Sequence, residues 1–421
     1  MPRIAALWAP GHELQLIEGA AQLFDTLVDA VDGARTEVHI ETYILDVQGG
    51  TVALLQALER AAQRGVQVRL AVDGVGTPAL PAPWAQRLDT AGVELRVFAP
   101  LGTLGLLIPS RWRRLHRKLA VVDGELAFCG GINLLDDWHD PNHGPLASPR
   151  LDFAVRLRGP VTASVLAAMQ RLWQRMEVGR RLRQRELAGA MDLMRSGAVL
   201  AREAGATPFL AGSAPVAPVA SIASIAPGAQ GARAALVLRD NVRFRFAIER
   251  AYRKAIGEAR SEVLIANAYF LPGRKLRNAL MHAARRGVRV RLLLQGRYEY
   301  FMQYYAVRSV YGELLAAGVE IHEYVPSFLH AKVAVIDGRW ATVGSSNLDP
   351  LSLLLAREAN VLVDDAAFAG ALRSRLLQAI AHEGRRVDPQ ALAQRSLGER
   401  VHERIALGLM RTALFLTGMR Y

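Results

Sequence analysis

The chain contains one ten-residue stretch twice, as LHRKLAVVDG at residues 115–124 and as LHAKVAVIDG at residues 329–338. In each copy a histidine and a lysine, two positions apart, precede apolar residues that end in Asp-Gly. Side chains two positions apart point to the same face of a β-strand. Each stretch therefore predicts a buried strand that presents one imidazole and one ammonium group side by side.

The two stretches belong to a repeat that covers most of the chain. Further matching pairs are residues 37–40 and 262–265, 62–70 and 284–292, and 91–94 and 317–320. Each half alternates apolar strand-like runs with amphipathic helical stretches, which is typical of an α/β unit. The sequence therefore predicts a duplicated α/β protein.

A composition change separates the two halves. Residues 206–233 are dominated by Ala, Pro, Ser and Gly, which is typical of a flexible linker. We place the first domain at residues 1–205, the second at residues 234–395 and an amphipathic C-terminal tail at residues 396–421.

The overall composition is that of a folded protein with an affinity for anions. Of 421 residues, 51% are hydrophobic and 22% are charged, which excludes a disordered chain. The single cysteine, Cys129, together with the absence of a recognisable signal peptide, indicates a reducing, cytoplasmic environment. No apolar run is long enough for a membrane span. The net charge of +13 favours nucleic acid or acidic lipid headgroups and does not choose between them.

The choice of basic residue points to the repeated motifs. The chain has only four lysines beside 48 arginines, and two of the four are Lys118 and Lys332 in these motifs. Because a compact ammonium differs from a planar guanidinium, lysines that persist in such a sequence indicate a chemical need.

Each motif continues to a Gly-rich turn that ends in asparagine. The turns are GGIN at residues 130–133 and GSSN at residues 344–347, so Gly131 stands where the second half has Ser345. Imidazole, ammonium and amide groups together suit a phosphodiester. In-line displacement at phosphorus benefits from two imidazoles, of which one attacks and one protonates the leaving alcohol.

On these residues the chain resembles the phospholipase D superfamily, whose members carry His-Lys-Asp motifs. Within it, the chain is similar to bacterial cardiolipin synthases of the synthase B type, which lack N-terminal transmembrane helices. The phrases IANAYF at residues 265–270 and ATVGSSNLDP at residues 341–350 add to this resemblance. It implies two tandem phospholipase D-like α/β domains related by pseudo-two-fold symmetry, with the active site at their interface.

The resemblance also implies a covalent phosphohistidine mechanism that uses no metal and no cofactor. One of His116 and His330 attacks the phosphorus, and the other protonates the departing alcohol and then deprotonates the acceptor hydroxyl. His116 is favoured as the nucleophile. The groups expected to bind the phosphate are Lys118, Lys332, Asn133, Ser345 and Asn347.

Two aspartates complete the motifs. Asp123 and Asp337 belong to the candidate catalytic set, but they fall at strand ends, so a role in fixing the turn is favoured over direct chemistry.

Two further carboxylates are candidates for orienting the histidines. A histidine nucleophile needs an acceptor on its other ring nitrogen, so each half should contain an additional acidic residue. Asp152 follows His116 in the first half, and Glu358 follows His330 in the second.

The leading functional hypothesis is transfer of a phosphatidyl group from one phosphatidylglycerol to another, which forms cardiolipin and glycerol. The expected partners are phosphatidylglycerol and an anionic membrane, at the cytoplasmic face of a bacterial cell and without nucleic acid. The alternatives are a hydrolase or nuclease of the same superfamily, a transferase that uses phosphatidylethanolamine as donor, and a catalytically silent lipid-binding protein.

Four weaker features of the sequence each allow a structural and a functional interpretation. Residues 136–143 form a solvated loop rather than a metal site, and residues 101–110 form either an interfacial anchor or a buried element. Residues 405–417 form a membrane-surface helix or a core helix. The arginines within residues 171–185 form a solvated face or attract anionic lipid.

Overall fold

The structure, a computed structural model, describes residues 7–102, 109–183, 231–240, 244–299, 301–349 and 356–416. The strands of the first half are β1 (Ala9–Glu18), β2 (Glu37–Thr42), β3 (Gln67–Asp73), β4 (Glu94–Phe98), β5 (Arg114–Leu115), β6 (Lys118–Val122), β7 (Leu126–Gly130), β8 (His139–Asp140), β9 (Gly144–Pro145) and β10 (Phe153–Arg158). Those of the second half are β11 (Ala232–Arg239), β12 (Glu262–Asn267), β13 (Arg289–Gln295), β14 (Glu320–Tyr324), β15 (Lys332–Ile336), β16 (Trp340–Gly344), β17 (Ala356–Asp364) and β18 (Gly384–Arg386).

Helices alternate with these strands in both halves. The first half contains α1 (Gly19–Asp32), α2 (Gly50–Gln63), α3 (Ala82–Ala91) and α4 (Val161–Arg183), with a short 3₁₀ helix at Pro109–Trp112. The second half contains α5 (Ala247–Glu258), α6 (Arg274–Arg285), α7 (Phe301–Arg308), α8 (Tyr311–Ala316), α9 (Ala366–His382), α10 (Pro389–Ala393) and α11 (Leu397–Leu416).

The two halves repeat one sheet topology. The first has the strand order β1-β10-β7-β6-β2-β3-β4, and the second has the corresponding order β11-β17-β16-β15-β12-β13-β14, extended by β18. The pairs β2–β3 and β3–β4 are parallel, as are β12–β13 and β13–β14. Strand β1 pairs with β11 in antiparallel orientation, which joins the halves into one sheet. The predicted tandem α/β architecture with pseudo-two-fold symmetry is therefore confirmed.

The motif strands separate an outer core from a core shared by both halves. In β6, Leu119 and Val121 pack in the shared core, which also contains residues of α4, α9 and the second half. Ala120 and Val122 face the outer core, which includes residues of α1 and α2. This alternation follows from the two-residue period of a strand that is buried on both faces.

Backbone hydrogen bonds carry the segment before each motif histidine onto the other half. Strand β5 pairs in parallel with the start of β17, and the backbone N–H of His116 donates to the carbonyl oxygen of Arg357 at 3.1 Å. In the second half, the N–H of His330 donates to the carbonyl oxygen of Leu151 at 2.9 Å. The two motifs therefore meet at the junction of the halves.

Several sequence predictions fall partly outside the described residues. These are most of the linker, residues 206–230, and most of the apolar insert, residues 103–108. Strand β11 already begins at Ala232, within the C-terminal edge of the predicted linker. The domain boundaries remain predictions. Within the described ranges, no helix has both the length and the apolar composition needed to cross a membrane.

The C-terminal helix α11 combines the two interpretations that its sequence left open. On one side, Ala406 and Glu403 are buried, and the ring of His402 lies 5.9 Å from that of Phe301 in α7. The opposite side exposes a ridge of four apolar residues, with 48–80% of each side chain accessible: Leu397, Val401, Ile405 and Leu409. The helix is packed on one face and unpartnered on the other within the described structure.

The motif aspartates bind backbone at the far end of their strands. Asp123 lies five residues beyond Lys118, about 17 Å along an extended strand. Its carboxylate accepts hydrogen bonds from the backbone N–H groups of residues 35–37, at 2.8–3.1 Å. Asp337 accepts the corresponding bonds from residues 260–262 at 2.8–2.9 Å. This distance and these hydrogen bonds support the turn-fixing role that the sequence favoured over direct chemistry for both aspartates.

Replacing either aspartate by alanine is expected to reduce stability and spare the chemistry. For Asp123→Ala we expect the free energy of unfolding to fall by about 1–2 kcal/mol, because several backbone donors lose a charged acceptor. Urea unfolding followed by circular dichroism measures this change. Asp123→Asn is the matched control, since asparagine keeps one acceptor oxygen and tolerates the left-handed φ of 52° found here. A well-folded alanine variant without activity would contradict the assignment.

Candidate active site

Each motif histidine is hydrogen-bonded to a buried carboxylate. His116 Nδ1 lies 3.0 and 3.1 Å from the two carboxylate oxygens of Glu358, and His330 Nδ1 lies 2.6 Å from Asp152 Oδ2. Glu358 is fully buried and Asp152 is 2% exposed, whereas the two rings keep 16% and 22% of their surface accessible. With Nδ1 donating to a carboxylate, Nε2 is the nitrogen that carries the lone pair.

The carboxylates cross between the halves. The predicted residues are the ones found, but Asp152 of the first half binds the second histidine, and Glu358 of the second half binds the first. The reason is the backbone hydrogen bonding between the halves. The N–H of His116 donates to Arg357, and the next residue is Glu358. The N–H of His330 donates to Leu151, and the next residue is Asp152. Order along the chain suggested pairing within each half, and the sheet register reverses it.

The two motif lysines lie beside the histidines and are buried. Lys118 is 6% exposed and Lys332 is fully buried. Each ammonium donates to the carbonyl oxygen of the motif histidine two residues earlier, from Lys118 at 2.9 Å to His116 and from Lys332 to His330. The site therefore contains two cations and two imidazoles in one buried cluster.

Burial shifts the pKa values of the cationic groups downward. It lowers the pKa of Lys118 to about 7 and that of Lys332 to about 8, and the nearby carboxylates oppose the shift. Burial also lowers the pKa of His116, against the charge of Glu358. The pKa of His330 falls well below its ordinary value through burial and through the charges of Lys332 and Lys118. In the site without substrate, these shifts favour the neutral form of both imidazoles at pH 7.

The two orienting carboxylates differ electrostatically. Burial raises the pKa of Asp152 to about 6, against the charge of Lys332. Burial acts in the same direction on Glu358, but His116 and then Arg239 outweigh it, so that the pKa of Glu358 is lowered. The carboxylate behind His116 is thus held ionised more firmly than the one behind His330.

The turn residues explain part of this difference. Ser345 donates its hydroxyl to Glu358 Oε2, so this predicted substrate-binding group contacts the orienting carboxylate. At Gly131, its counterpart, an added Cβ would lie 2.3 Å from Asp152 Oδ1. Asp152 is one methylene shorter than Glu358, and its carboxylate occupies the space that a side chain at residue 131 would need.

The two turn asparagines are buried beside the motifs. Asn133 accepts a hydrogen bond from the backbone N–H of Ile44 at 3.2 Å. Asn347 is 2% exposed, and its Oδ1 atom has no hydrogen-bond partner within the described part of the chain. Their role in holding phosphate oxygens therefore stays a prediction.

Two residues of the site were missed from the sequence. Arg239, the last residue of β11, is fully buried and donates to Ser346 Oγ at 3.1 Å, with its Nη2 atom 3.5 Å from Glu358 Oε1. Its signal in the sequence is an arginine directly after the apolar run of residues 234–238 in this strand. The ring of Tyr43 lies 5.1 Å from that of His116, and no local pattern distinguishes this tyrosine.

The loop at residues 136–143 is more buried than its sequence suggested. Asp137 and Asp140 are 9% and 8% exposed, so the expectation of a solvated loop is wrong for these two side chains. Asp137 accepts from the backbone N–H of Ala20, and Asp140 binds Arg150 at 2.8 Å and His143 at 2.9 Å. These carboxylates link the loop to the body of the first half.

The arrangement can process a phosphodiester through one composite site. A neutral imidazole can attack phosphorus while a second imidazole transfers a proton, and the two ammonium groups stabilise the charge that develops on the phosphate oxygens. Each half supplies one imidazole and the carboxylate for the other. The duplicated α/β fold and this composite site together define a phospholipase D-type protein.

The chain belongs to the family described as cardiolipin synthase, PLD-like domain. The family model matches residues 27–143 and 252–380, and each segment contains one of the two motifs.

Individual relatives agree with this family. The chain is 36% identical to cardiolipin synthase B of Escherichia coli over 399 residues, which cover 92% of this chain and 85% of the relative. It is 28% identical to cardiolipin synthase A of Erwinia tasmaniensis, with 94% of this chain and 74% of the relative covered.

Solved structures support the fold. The phosphatidylserine synthase of Haemophilus influenzae matches with a TM-score of 0.63 at 11% identity, over 96% of this chain and 93% of that chain. A polyphosphate kinase from Porphyromonas gingivalis matches with a TM-score of 0.54 at 14% identity, over 95% of this chain and 53% of that chain.

The lowered pKa values predict a narrow pH optimum. We expect kcat/KM to rise with pH as His116 loses its proton at a pH below 6.5, its ordinary pKa. At higher pH we expect it to fall as the acid His330 and then Lys118 and Lys332 lose their protons, the two lysines near pH 7 to 8. The value of kcat/KM falls with rising pH because a lysine with a lowered pKa carries its positive charge only at a pH below that pKa. Initial rates between pH 5 and 10 measure the profile.

Lys118→Arg provides the matched control for the alkaline limb. Arginine stays protonated throughout this range, so one titrating group is removed and the activity of the variant should fall less steeply above pH 7 than that of the native protein. If the native protein instead kept full activity above pH 9.5, the assignment of the alkaline limb to the lysines would be wrong.

Proposed function

We propose that this protein is a phosphatidyltransferase that forms cardiolipin from two molecules of phosphatidylglycerol and releases glycerol. The observation that carries the proposal is the composite site, in which each motif histidine is bound by a carboxylate from the other half and lies beside a buried lysine. Relatives named cardiolipin synthase B, at 35–36% identity over most of the chain, support the choice of substrate.

In the first step, His116 attacks the phosphorus of the donor lipid. A bond forms between Nε2 and phosphorus while the bond from phosphorus to the glycerol oxygen breaks. The negative charge of the bound phosphodiester favours the protonated form of His330, and this imidazolium gives its Nε2 proton to that oxygen. The ring of His116 becomes positively charged when Nε2 bears the phosphoryl group, and the ionised Glu358 stabilises this charge.

In the second step, the hydroxyl of a second phosphatidylglycerol attacks the phosphorus. His330 takes the hydroxyl proton, a new phosphorus–oxygen bond forms, and the bond to His116 breaks. Lys118 and Lys332 hold the phosphate oxygens in both steps, together with Asn133 and Asn347. Every proton that leaves His330 in the first step returns in the second.

The opposite pKa shifts of Glu358 and Asp152 support these different roles of His116 and His330. Glu358 is bound by Ser345 and Arg239 and has a lowered pKa, so it suits a histidine that must carry positive charge as an intermediate. The pKa of Asp152 is raised and that of its partner His330 is low, so this ring, once protonated beside the bound phosphodiester, releases its proton readily. His116 is therefore the nucleophile and His330 the acid and base.

The protein must meet its lipid substrate at a bilayer surface, and we place it peripherally on the cytoplasmic face of the cell membrane. The exposed ridge of α11 is the apolar surface that supports this placement, because amphipathic helices insert such side chains into the headgroup boundary. The net charge of +13 favours anionic lipid. On α4, Arg180 and Arg181 both pair with Glu177, which reduces the contribution of this helix.

The proposed reaction is tested with purified protein and phosphatidylglycerol vesicles. We expect cardiolipin and glycerol in equal amounts, with and without chelator, and a loss of at least about a thousandfold in His116→Ala and His330→Ala. His282→Ala, which changes an exposed histidine on α6, should keep full activity. Mass spectrometry of the lipids and an enzymatic glycerol assay provide the measurements.

Other products would identify one of the other candidates. Phosphatidic acid without cardiolipin would make the protein a hydrolase, and cardiolipin from mixed vesicles with release of ethanolamine would make phosphatidylethanolamine the donor. Cleavage of DNA without lipid turnover, lost in the same histidine variants, would replace the proposal by a nuclease.

Removing the apolar ridge is expected to weaken membrane binding. For the double variant Val401→Gln, Ile405→Gln we expect the partition coefficient onto phosphatidylglycerol vesicles to fall about tenfold or more, because two apolar side chains no longer enter the bilayer. Leu7→Gln, which removes a side chain that is 87% exposed elsewhere, is the control. Vesicle co-sedimentation measures binding. An unchanged partition coefficient, or a dimer that the double variant dissociates, would contradict the placement.

A further inference from the structure

A second polar pair, formed by Tyr269 and Glu299, lies near the lysine of the second motif, because Tyr269 comes two residues after Asn267, the β12 residue that pairs with Lys332. The Tyr269 hydroxyl donates to Glu299 Oε2 at 2.8 Å. The charge of Glu299 acts on Lys332, as do the charges of Asp152 and Glu358. Asp152 and Glu358 are hydrogen-bonded to the histidines, whereas Glu299 has no part in the steps described above.

The pair lies on the side of His330. Glu299 interacts electrostatically with His143 and Asp140 of the first half. The ring of His143 lies 5.1 Å from that of Phe328, which precedes His330 by two residues. The residue before Tyr269, Ala268, donates its backbone N–H at 3.0 Å to the carbonyl oxygen of Ala331, which lies between His330 and Lys332. Tyr269 and its partner Glu299 therefore form part of the wall beside the histidine that exchanges a proton with the alcohol.

The chemistry of this wall suits a hydroxyl group better than a phosphate. A carboxylate repels a phosphate oxygen, and it is a strong acceptor for the hydrogen bond of an alcohol. Glu299 is only partly exposed, and burial raises its pKa, while the Tyr269 hydroxyl and the charge of His143 oppose this shift. The pair thus places an acceptor in a half-buried position where hydrogen bonds to a ligand are strengthened.

The first half has a different residue at the matching place. Glu299 lies four residues beyond the end of β13, and Thr77 lies four residues beyond the end of β3. The Thr77 hydroxyl donates to the carbonyl oxygen of Tyr43 at 3.1 Å. The carboxylate is therefore a feature of the His330 side, where an alcohol must arrive and depart.

We propose that Tyr269 and Glu299 form the subsite for the glycerol headgroup, in which Glu299 accepts a hydrogen bond from the hydroxyl that does not react. This inference rests on the proposed transferase function. The bond holds the neighbouring hydroxyl of the acceptor against His330 Nε2, which takes its proton as the oxygen attacks the phosphorus. The departing glycerol of the first step occupies the same subsite.

The subsite provides a reason for transfer to a polyol over hydrolysis. Water and a simple alcohol offer no second hydroxyl to Glu299, so neither is positioned by it. A glycerol headgroup is positioned, and its effective concentration at the intermediate rises accordingly. Glu299 is a positioning residue in this scheme, since it acts on the hydroxyl that does not react.

The test compares acceptors within one reaction, so that donor binding and the amount of folded protein cancel. The full chain is incubated with phosphatidylglycerol vesicles, isotope-labelled glycerol and propan-1-ol at equal concentrations. The ratio of labelled phosphatidylglycerol to phosphatidylpropanol reports the preference for a second hydroxyl. For Glu299→Gln we expect this ratio, and the ratio of cardiolipin to phosphatidic acid, to fall about tenfold or more.

Two further variants test the role of the Tyr269 hydroxyl and provide a control. Tyr269→Phe keeps the carboxylate and removes the hydroxyl that orients it, so it should lower both ratios by a smaller factor. Glu320→Gln is the matched control, because Glu320 pairs with Arg289 at 2.9 Å on the same half and away from the site, and it should leave both ratios unchanged.

The outcomes separate this inference from the proposed function. If Glu299→Gln keeps both native ratios while the native protein forms cardiolipin, the subsite is refuted and the transferase stands. If the native protein forms no phosphatidyl product with any of these alcohols, the transferase is refuted and the subsite with it. A fall in both ratios that Glu320→Gln does not share supports the subsite.

Discussion

The backbone hydrogen bonds that carry each motif segment onto the opposite half are the constraint on which the site depends. His116 donates its N–H to the carbonyl oxygen of Arg357, and His330 donates to that of Leu151. The next residue in each case is the carboxylate that binds the imidazole. Neither half therefore contains a complete histidine–carboxylate pair, and the pairing of β1 with β11 and the shared core hold the two contributions in register.

The two motif lysines, Lys118 and Lys332, are buried at the same junction of the two halves. Each ammonium turns back to the carbonyl oxygen of the histidine two residues earlier, a position that suits a compact, rotatable donor better than the planar fork of arginine. This accounts for the retention of Lys118 and Lys332 in a chain that has 48 arginines and only two other lysines. Burial lowers their pKa values, so that both ammonium groups lose their charge at a lower pH than an exposed lysine does.

The two halves share one backbone plan, but different side chains surround the two carboxylates that orient the histidines. Glu358 lies near the buried guanidinium of Arg239 and accepts from Ser345, while the shorter Asp152 lies against Gly131. One carboxylate is firmly ionised, and the other has a raised pKa. Two half-sites with the same backbone can therefore perform two different steps. The carboxylate of Glu299 is a further difference, because the first half has Thr77 at the matching place.

Strand alternation and repeated spacing are local properties of the chain, so the duplicated α/β fold, the two histidines, the two lysines and the identity of the carboxylates could be predicted from the sequence alone. The three-dimensional structure was needed to show that Glu358 binds His116 across 242 residues and that Asp152 binds His330 across 178. It also showed that Asp123 and Asp337 bind backbone at the far end of their strands, and it brought Arg239 and Glu299 near the motifs. Such contacts depend on sheet register and on crossing between halves, which no local pattern encodes.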